Sequence, residues 1–124
     1  MEQIIARLEL GKTKYNHGVR VDNDTMTWGT PKNSWMEMAN EEFLDGIIYV
    51  TADYIRRHRE NGGTMNMGNM EYDFLLRNKE AHEFKDDNQL ILYIIEHWRE
   101  MESCRHKLMI KNLFDIVFEA TSRY

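Results

Sequence analysis

Ser34-Trp35-Met36-Glu37-Met38-Ala39-Asn40-Glu41-Glu42-Phe43-Leu44-Asp45-Gly46-Ile47-Ile48-Tyr49 follows the single proline of the chain, Pro31, and reads as the opening of a long helix. Asn33 or Ser34 can cap it. Glu37 stands three residues after Ser34, the spacing of a capping box, in which the two side chains satisfy each other's backbone N–H groups. Trp35, Ala39, Phe43, Gly46/Ile47, Val50 and Tyr54 recur at steps of three and four, which makes one apolar stripe. The pattern runs to about His58. Arg56, Arg57, His58 and Arg59 then place cations in the last turn, where they complement the helix dipole. Asn61-Gly62-Gly63 predicts the stop.

Upstream, residues 2–10 predict a short helix with Ile4, Ile5 and Leu8 on one side, and residues 11–33 read as irregular. Val19, Val21, Met26 and Trp28 flank the turn-like Asp22-Asn23-Asp24 and allow a short β-hairpin. Downstream, Gly62, Gly63 and Gly68 mark a loop over residues 60–70 that also carries Met65, Met67 and Met70, flexible side chains suited to adaptable packing. A second helix is expected over residues 71–84, and a third from Asp86 or Asp87, with Asn88 as another cap. After Gly68 there is neither glycine nor proline, which reads as continuous helical territory. From Leu90 to Ala120 the spacing of Ile91, Ile94/Ile95, Trp98, Met101, Leu108, Leu113 and Val117 fits one long helix or two stacked ones.

The expectation is therefore an all-α helical bundle forming a single domain over residues 1–124. Its parts are an irregular N-terminal segment (1–33), an acidic helix (34–59), a loop (60–70) and C-terminal helices (71–124), one of them long. A long helix with this much apolar surface commonly meets a partner helix, so self-association is expected, with Trp98, Phe114 and Phe118 contributing.

Composition narrows the function classes. A net charge of −5 without a basic tail argues against a general nucleic-acid binder, which must neutralise phosphates. One cysteine, Cys104, excludes an intrachain disulfide and fits a reducing compartment. The opening Met1-Glu2-Gln3-Ile4-Ile5 lacks the features of a signal peptide, and the longest apolar run, Leu90–Ile95, is far too short to span a bilayer. A cytoplasmic protein without a membrane partner is expected.

The chemistry concentrates in the acidic helix. Glu37, Glu41 and Asp45 are spaced i, i+4, i+8, and Glu42 and Asp45 are i, i+3, so the four carboxylates project from neighbouring rows with no base among them. Like charges at these spacings repel. A hard divalent cation, Mg2+ or Mn2+, would relieve the repulsion, taking oxygen ligands from the carboxylates and from phosphates. The competing reading is a solvated acidic face near a helix N-terminus, where acids are favourable in any case and where Glu37 is accounted for by capping. No histidine pair among His17, His58, His82, His97 and His106 has metal-ligand spacing, no glycine-rich phosphate cradle is present, and no nucleophile triad is legible.

The run Glu41-Glu42-Phe43-Leu44-Asp45-Gly46-Ile47-Ile48-Tyr49 resembles the E-E-x-x-D-x-x-x-Y signature of MazG-like all-α nucleoside triphosphate pyrophosphohydrolases, especially short phage-encoded ones. The segment Lys14-Tyr15-Asn16-His17-Gly18-Val19-Arg20 is similar to the basic, tyrosine-bearing segment that precedes the acidic helix in them. The resemblance covers about residues 12–57. It implies an oligomeric helical bundle in which Glu41, Glu42 and Asp45 ligate Mg2+, and cleavage of a nucleoside triphosphate to monophosphate and pyrophosphate. Glu37 and Glu41 are the expected catalytic carboxylates. Fuller members carry a second acidic motif on a neighbouring helix. In this chain the candidates, Glu80, Glu83 and Asp86, lie at an unusually long spacing. Lys14, His17 and Arg20, with Lys12, can contact phosphates, and Tyr15 or Trp28 can stack on a base. The alternative is a non-enzymatic oligomeric protein that binds or sequesters a host protein or a small nucleotide.

Overall fold

The computed structural model describes residues 1–61 and 70–123. Five α-helices occur among them: α1 Glu2–Tyr15, α2 Trp35–Glu60, α3 Met70–Arg77, α4 Asn88–Glu96 and α5 Cys104–Arg123. No strand is present among the described residues, so the fold is all-α. Most of the expected glycine loop, with Met65 and Met67, lies outside the described residues. By backbone contacts the chain divides into two compact units, Met1–Ser34 and Trp35–Tyr124.

In the first unit, α1 continues through Gly11 to Tyr15, past its expected end near residue 10. It stops at Asn16, which adopts the left-handed conformation (φ 65°) that asparagine tolerates better than most residues. The β-hairpin expected around Asp22-Asn23-Asp24 does not form. Thr25–Trp28 is a 3-10 turn instead. The Asp24 carboxylate accepts the Met26 N–H at 2.9 Å, a local capping bond that outcompetes strand pairing. Thr25 is fully buried. Its hydroxyl donates to Lys32 O (3.1 Å), accepts the Ser34 N–H (2.8 Å) and meets the Thr30 hydroxyl (2.8 Å). Asn33 turns its side-chain oxygen to Thr25 N–H, at 3.0 Å, so the segment before α2 is tied by polar bonds rather than by apolar packing.

In the second unit, α2 is the central element. It packs most extensively on α5 and also on α4, and α4 in turn packs on α3. Asp53 lies beside His106 and Gly46 beside Leu113, so α2 and α5 run antiparallel. The core is Ile47, Tyr54, Ile55, Met70, Phe74, Leu90, Ile94, Met101 and Ile110. Met70 thus belongs to the core at the start of α3, with its sulfur receiving the Tyr54 hydroxyl at 3.8 Å. Arg59, in the last turn of α2, bonds both Glu71 and Asp87, which ties α2 to the starts of α3 and α4.

The segment 71–123 is not continuous helix. The α3 helix ends at Arg77, and α4 ends at Glu96, with His97 as its C-cap, whose ring Nδ1–H donates to Tyr93 O at 2.7 Å while its ring lies tilted against Tyr93. A 3-10 turn, Trp98–Glu100, and an extended Met101 follow, and Met101 drops into the core. Ser103 then caps α5 by accepting the His106 N–H at 3.3 Å. Breaking the helix at this point lets α5 fold back along α2.

Gly46 sits mid-helix in α2. A methyl group added there would meet Leu113 at 3.5–3.6 Å, ordinary van der Waals contact. Gly46→Ala should therefore stabilise the chain by roughly 0.5–1 kcal/mol, because alanine loses less backbone entropy in a helix. Urea unfolding of the two proteins measures it. A loss of stability would mean that α2 and α5 approach more closely than this structure has them.

Candidate functional site

The face of α2 that carries the acids points away from the helical core. At about 100° per residue, Glu41, Glu42 and Asp45 lie roughly 120–160° around the helix from the buried Ile47. Glu41 and Glu42 are exposed, and Glu37 and Asp45 are half-buried. The side chains of Glu41, Glu42 and Asp45 make no hydrogen bond or ion pair with any described residue. Glu37 does have a partner. Three carboxylates in five residues thus stand without a countercharge among the described residues. Among the described residues, no three His, Cys, Asp or Glu side chains form a group able to hold a metal ion.

Lys14, Tyr15, His17 and Arg20 fall in the first unit. Lys12 and Lys14 are on the last turn of α1 rather than in a loop, and the Lys14 ammonium sits 5.4 Å from the Tyr15 ring centre. His17 donates through Nδ1 to Gly18 O at 2.6 Å, and Arg20 is exposed. Glu80, Glu83 and Asp86 are exposed in the connection between α3 and α4. Asp86 takes the Asn88 N–H, and the neighbouring Asp87 is held by Arg59. Arg59 is 14 residues beyond Asp45, or about 21 Å along the helix. None of the three joins Glu41, Glu42 and Asp45 in a three-ligand group among the described residues.

The structure assembles a second polar constellation that the sequence does not display. Asp53 on α2 accepts the Nε2–H of His106 on α5 at 2.7 Å, and its same oxygen accepts the Arg57 Nε–H at 2.8 Å. With Nε2 protonated, His106 Nδ1 accepts the Ser103 hydroxyl at 2.5 Å. The His106 ring is buried edge-on to Tyr54, with centroids 5.6 Å apart. Asp53, Arg57, Ser103 and His106 line a groove of about 540 Å³, with Tyr49, Val50, Asn61, Arg105 and Met109. Asp53 and Arg57 are legible as an i, i+4 pair on α2. Their meeting with His106, 53 residues after Asp53, has no local signal.

The hydrogen bond from His106, together with Arg57, holds the Asp53 carboxyl below its usual value of 3.8. A depressed carboxyl pKa contributes stability above the unfolded value, and the contribution is lost as pH falls through the lower folded value. The stability advantage of the native chain over Asp53→Asn should therefore be constant down to about pH 4 and vanish below it. Thermal unfolding of both proteins at stepped pH reads this directly. A gap that widens in acid would contradict it.

Among the described residues, no helix is long and apolar enough to cross a membrane. Comparison with protein-family models, with curated proteins and with solved structures finds no match to this chain.

Proposed function

We propose that the chain is a metal-dependent hydrolase that cuts a nucleoside triphosphate, ribo- or deoxyribo-, to monophosphate and pyrophosphate. One observation carries the reading: Glu41, Glu42 and Asp45 stand together on an outward face of α2 with no countercharge among the described residues. Their oxygens are the donors that Mg2+ or Mn2+ prefers. A complete protein cage is not needed, because Mg2+ is usually held by one or two carboxylates, with water and substrate phosphates filling the rest of its shell. When bound, the ion would supply charge neutralisation at the phosphates. One or two of Glu41, Glu42 and Asp45 would hold and orient it, and Glu37 and Glu41 are the carboxylates that would accept a proton from water in this reading. In this reading Lys14, His17 and Arg20 are the side chains suited to phosphate, and Tyr15 is suited to a base. The likeness of Glu41–Tyr49 to the MazG-like signature supports it, and a cytoplasmic setting and a phage origin belong to the same proposal.

The test is pyrophosphate release from a panel of ribo- and deoxyribonucleoside triphosphates, with Mg2+, with Mn2+ and with chelator. Turnover that requires metal is expected. No turnover across the panel sinks the reading.

A second reading, an oligomeric binding or sequestration protein, is favoured by α1 and α5. The α1 helix has no buried residue, and Ile4, Ile5 and Leu8 are each more than half exposed. Phe118 on α5 is 68% exposed. Sedimentation of the native chain and of Phe118→Asp checks it: an assembly that the substitution dissociates supports this reading, and a monomer throughout counts against it.

A further inference from the structure

The groove between α2 and α5 is lined by none of Glu37, Glu41, Glu42 and Asp45, although Tyr49 on its wall follows Asp45 by one turn of α2, and its chemistry is of opposite sign. In a chain of net charge −5, its lining carries Arg57 and Arg105 against one carboxylate, Asp53. That carboxylate is already answered by Arg57 and His106 through the same oxygen. Arg57 uses only Nε in this bond, so both terminal nitrogens of its guanidinium fork bond nothing among the described residues. Arg105 is exposed and makes no hydrogen bond or ion pair with any described residue. A guanidinium fork matches the oxygens of a phosphate group two at a time. Further along the two helices the lining turns apolar: Val50 and the ring of Tyr49, which is 66% exposed, on α2, and Met109 on α5. An exposed tyrosine beside a cationic rim offers a flat face for stacking. The volume, about 540 Å³, lies in the range of small-molecule sites.

We infer that this groove binds a phosphate monoester carried on a flat heterocycle, of which a nucleoside monophosphate is the simplest case. Arg57 and Arg105 hold the phosphate, and Tyr49 stacks on the ring. His106 does not touch the ligand. Both its ring nitrogens are engaged, and it is a positioning residue that keeps Asp53 turned toward α5 and away from the phosphate. The site needs no metal and does not depend on the hydrolase reading.

The experiment is calorimetric titration of the full chain, in chelator, with the four common nucleoside monophosphates, with a nucleoside and with inorganic phosphate. Chelator keeps the outcome independent of metal-dependent turnover. At least one monophosphate should bind, more tightly than inorganic phosphate, and the nucleoside should bind weakest. Arg105→Ala removes a side chain with no described partner, so the chain should fold normally and the monophosphate should bind at least about tenfold more weakly. Tyr49→Ala should weaken the monophosphate about tenfold and leave inorganic phosphate unchanged. Absence of binding by every monophosphate at millimolar concentration overturns the inference, as does unchanged affinity in Arg105→Ala. Equal affinity for inorganic phosphate and monophosphate overturns the role of Tyr49 and the assignment to a ring-bearing ligand.

Discussion

Replacement of Ile110 by alanine should cost roughly 2–5 kcal/mol, a larger loss of stability than any surface substitution on these helices should cause. Ile110 is wholly inaccessible and lies on α5, the helix that packs most extensively on α2. Deleting its outer carbons removes their transfer free energy and leaves a void that two facing helices close only in part. Domains of this size have about 5–15 kcal/mol in total, so the loss is a large share. Leu108, two residues earlier and 58% exposed, is the control. Leu108→Ala should stay within about 0.5 kcal/mol of the native chain. Urea unfolding of the three proteins decides the matter. A cost below about 1 kcal/mol for Ile110→Ala would mean that α5 is not docked on α2 in this way.

Asp45→Asn should reduce metal-dependent pyrophosphate release by about a hundredfold or more under the proposed function, since even residues that only orient metal ligands typically cost about 10–100-fold. The substitution is nearly isosteric and removes one charge from a like-charged row. In the metal-free chain it should therefore raise stability by roughly a few tenths of a kcal/mol, through relief of repulsion from Glu41 and Glu42. In the native chain, added Mg2+ or Mn2+ should raise the unfolding temperature, because a ligand bound only to the folded state stabilises it by mass action. In Asp45→Asn that response should shrink. Loss of turnover with unchanged helicity and a smaller metal response would place the defect at the metal. Full turnover in Asp45→Asn would remove Asp45 from the site.

Helical content is written into local sequence. The apolar steps from Trp35 to Tyr54 and the cations before Asn61 mark α2 within a residue or two of its observed bounds, because a helix is stabilised by bonds and contacts between near neighbours in the chain. Where a local polar bond decides the backbone, the apolar pattern misleads. Asp24 caps a 3-10 turn where a hairpin is expected, and Ser103 starts a new helix inside a stretch free of glycine and proline. Both residues are visible in the sequence. Their weight against the apolar pattern is not, since each contributes only about 1 kcal/mol and wins only where packing agrees.

The acidic row on α2 is a property of the sequence alone: any helix through Glu37–Asp45 brings those carboxylates near one another, whatever it packs against. Tertiary structure decided the rest. The α2 helix turns Ile47, Thr51 and Tyr54 inward and leaves Glu41 and Glu42 in solvent, and the antiparallel docking of α5 carries His106 and Arg105 to Asp53 and Arg57. A pair 53 residues apart leaves no periodic trace in the chain. It exists because burying Ile110 against α2 sets the register of two helices, and every polar contact along that seam follows from the register.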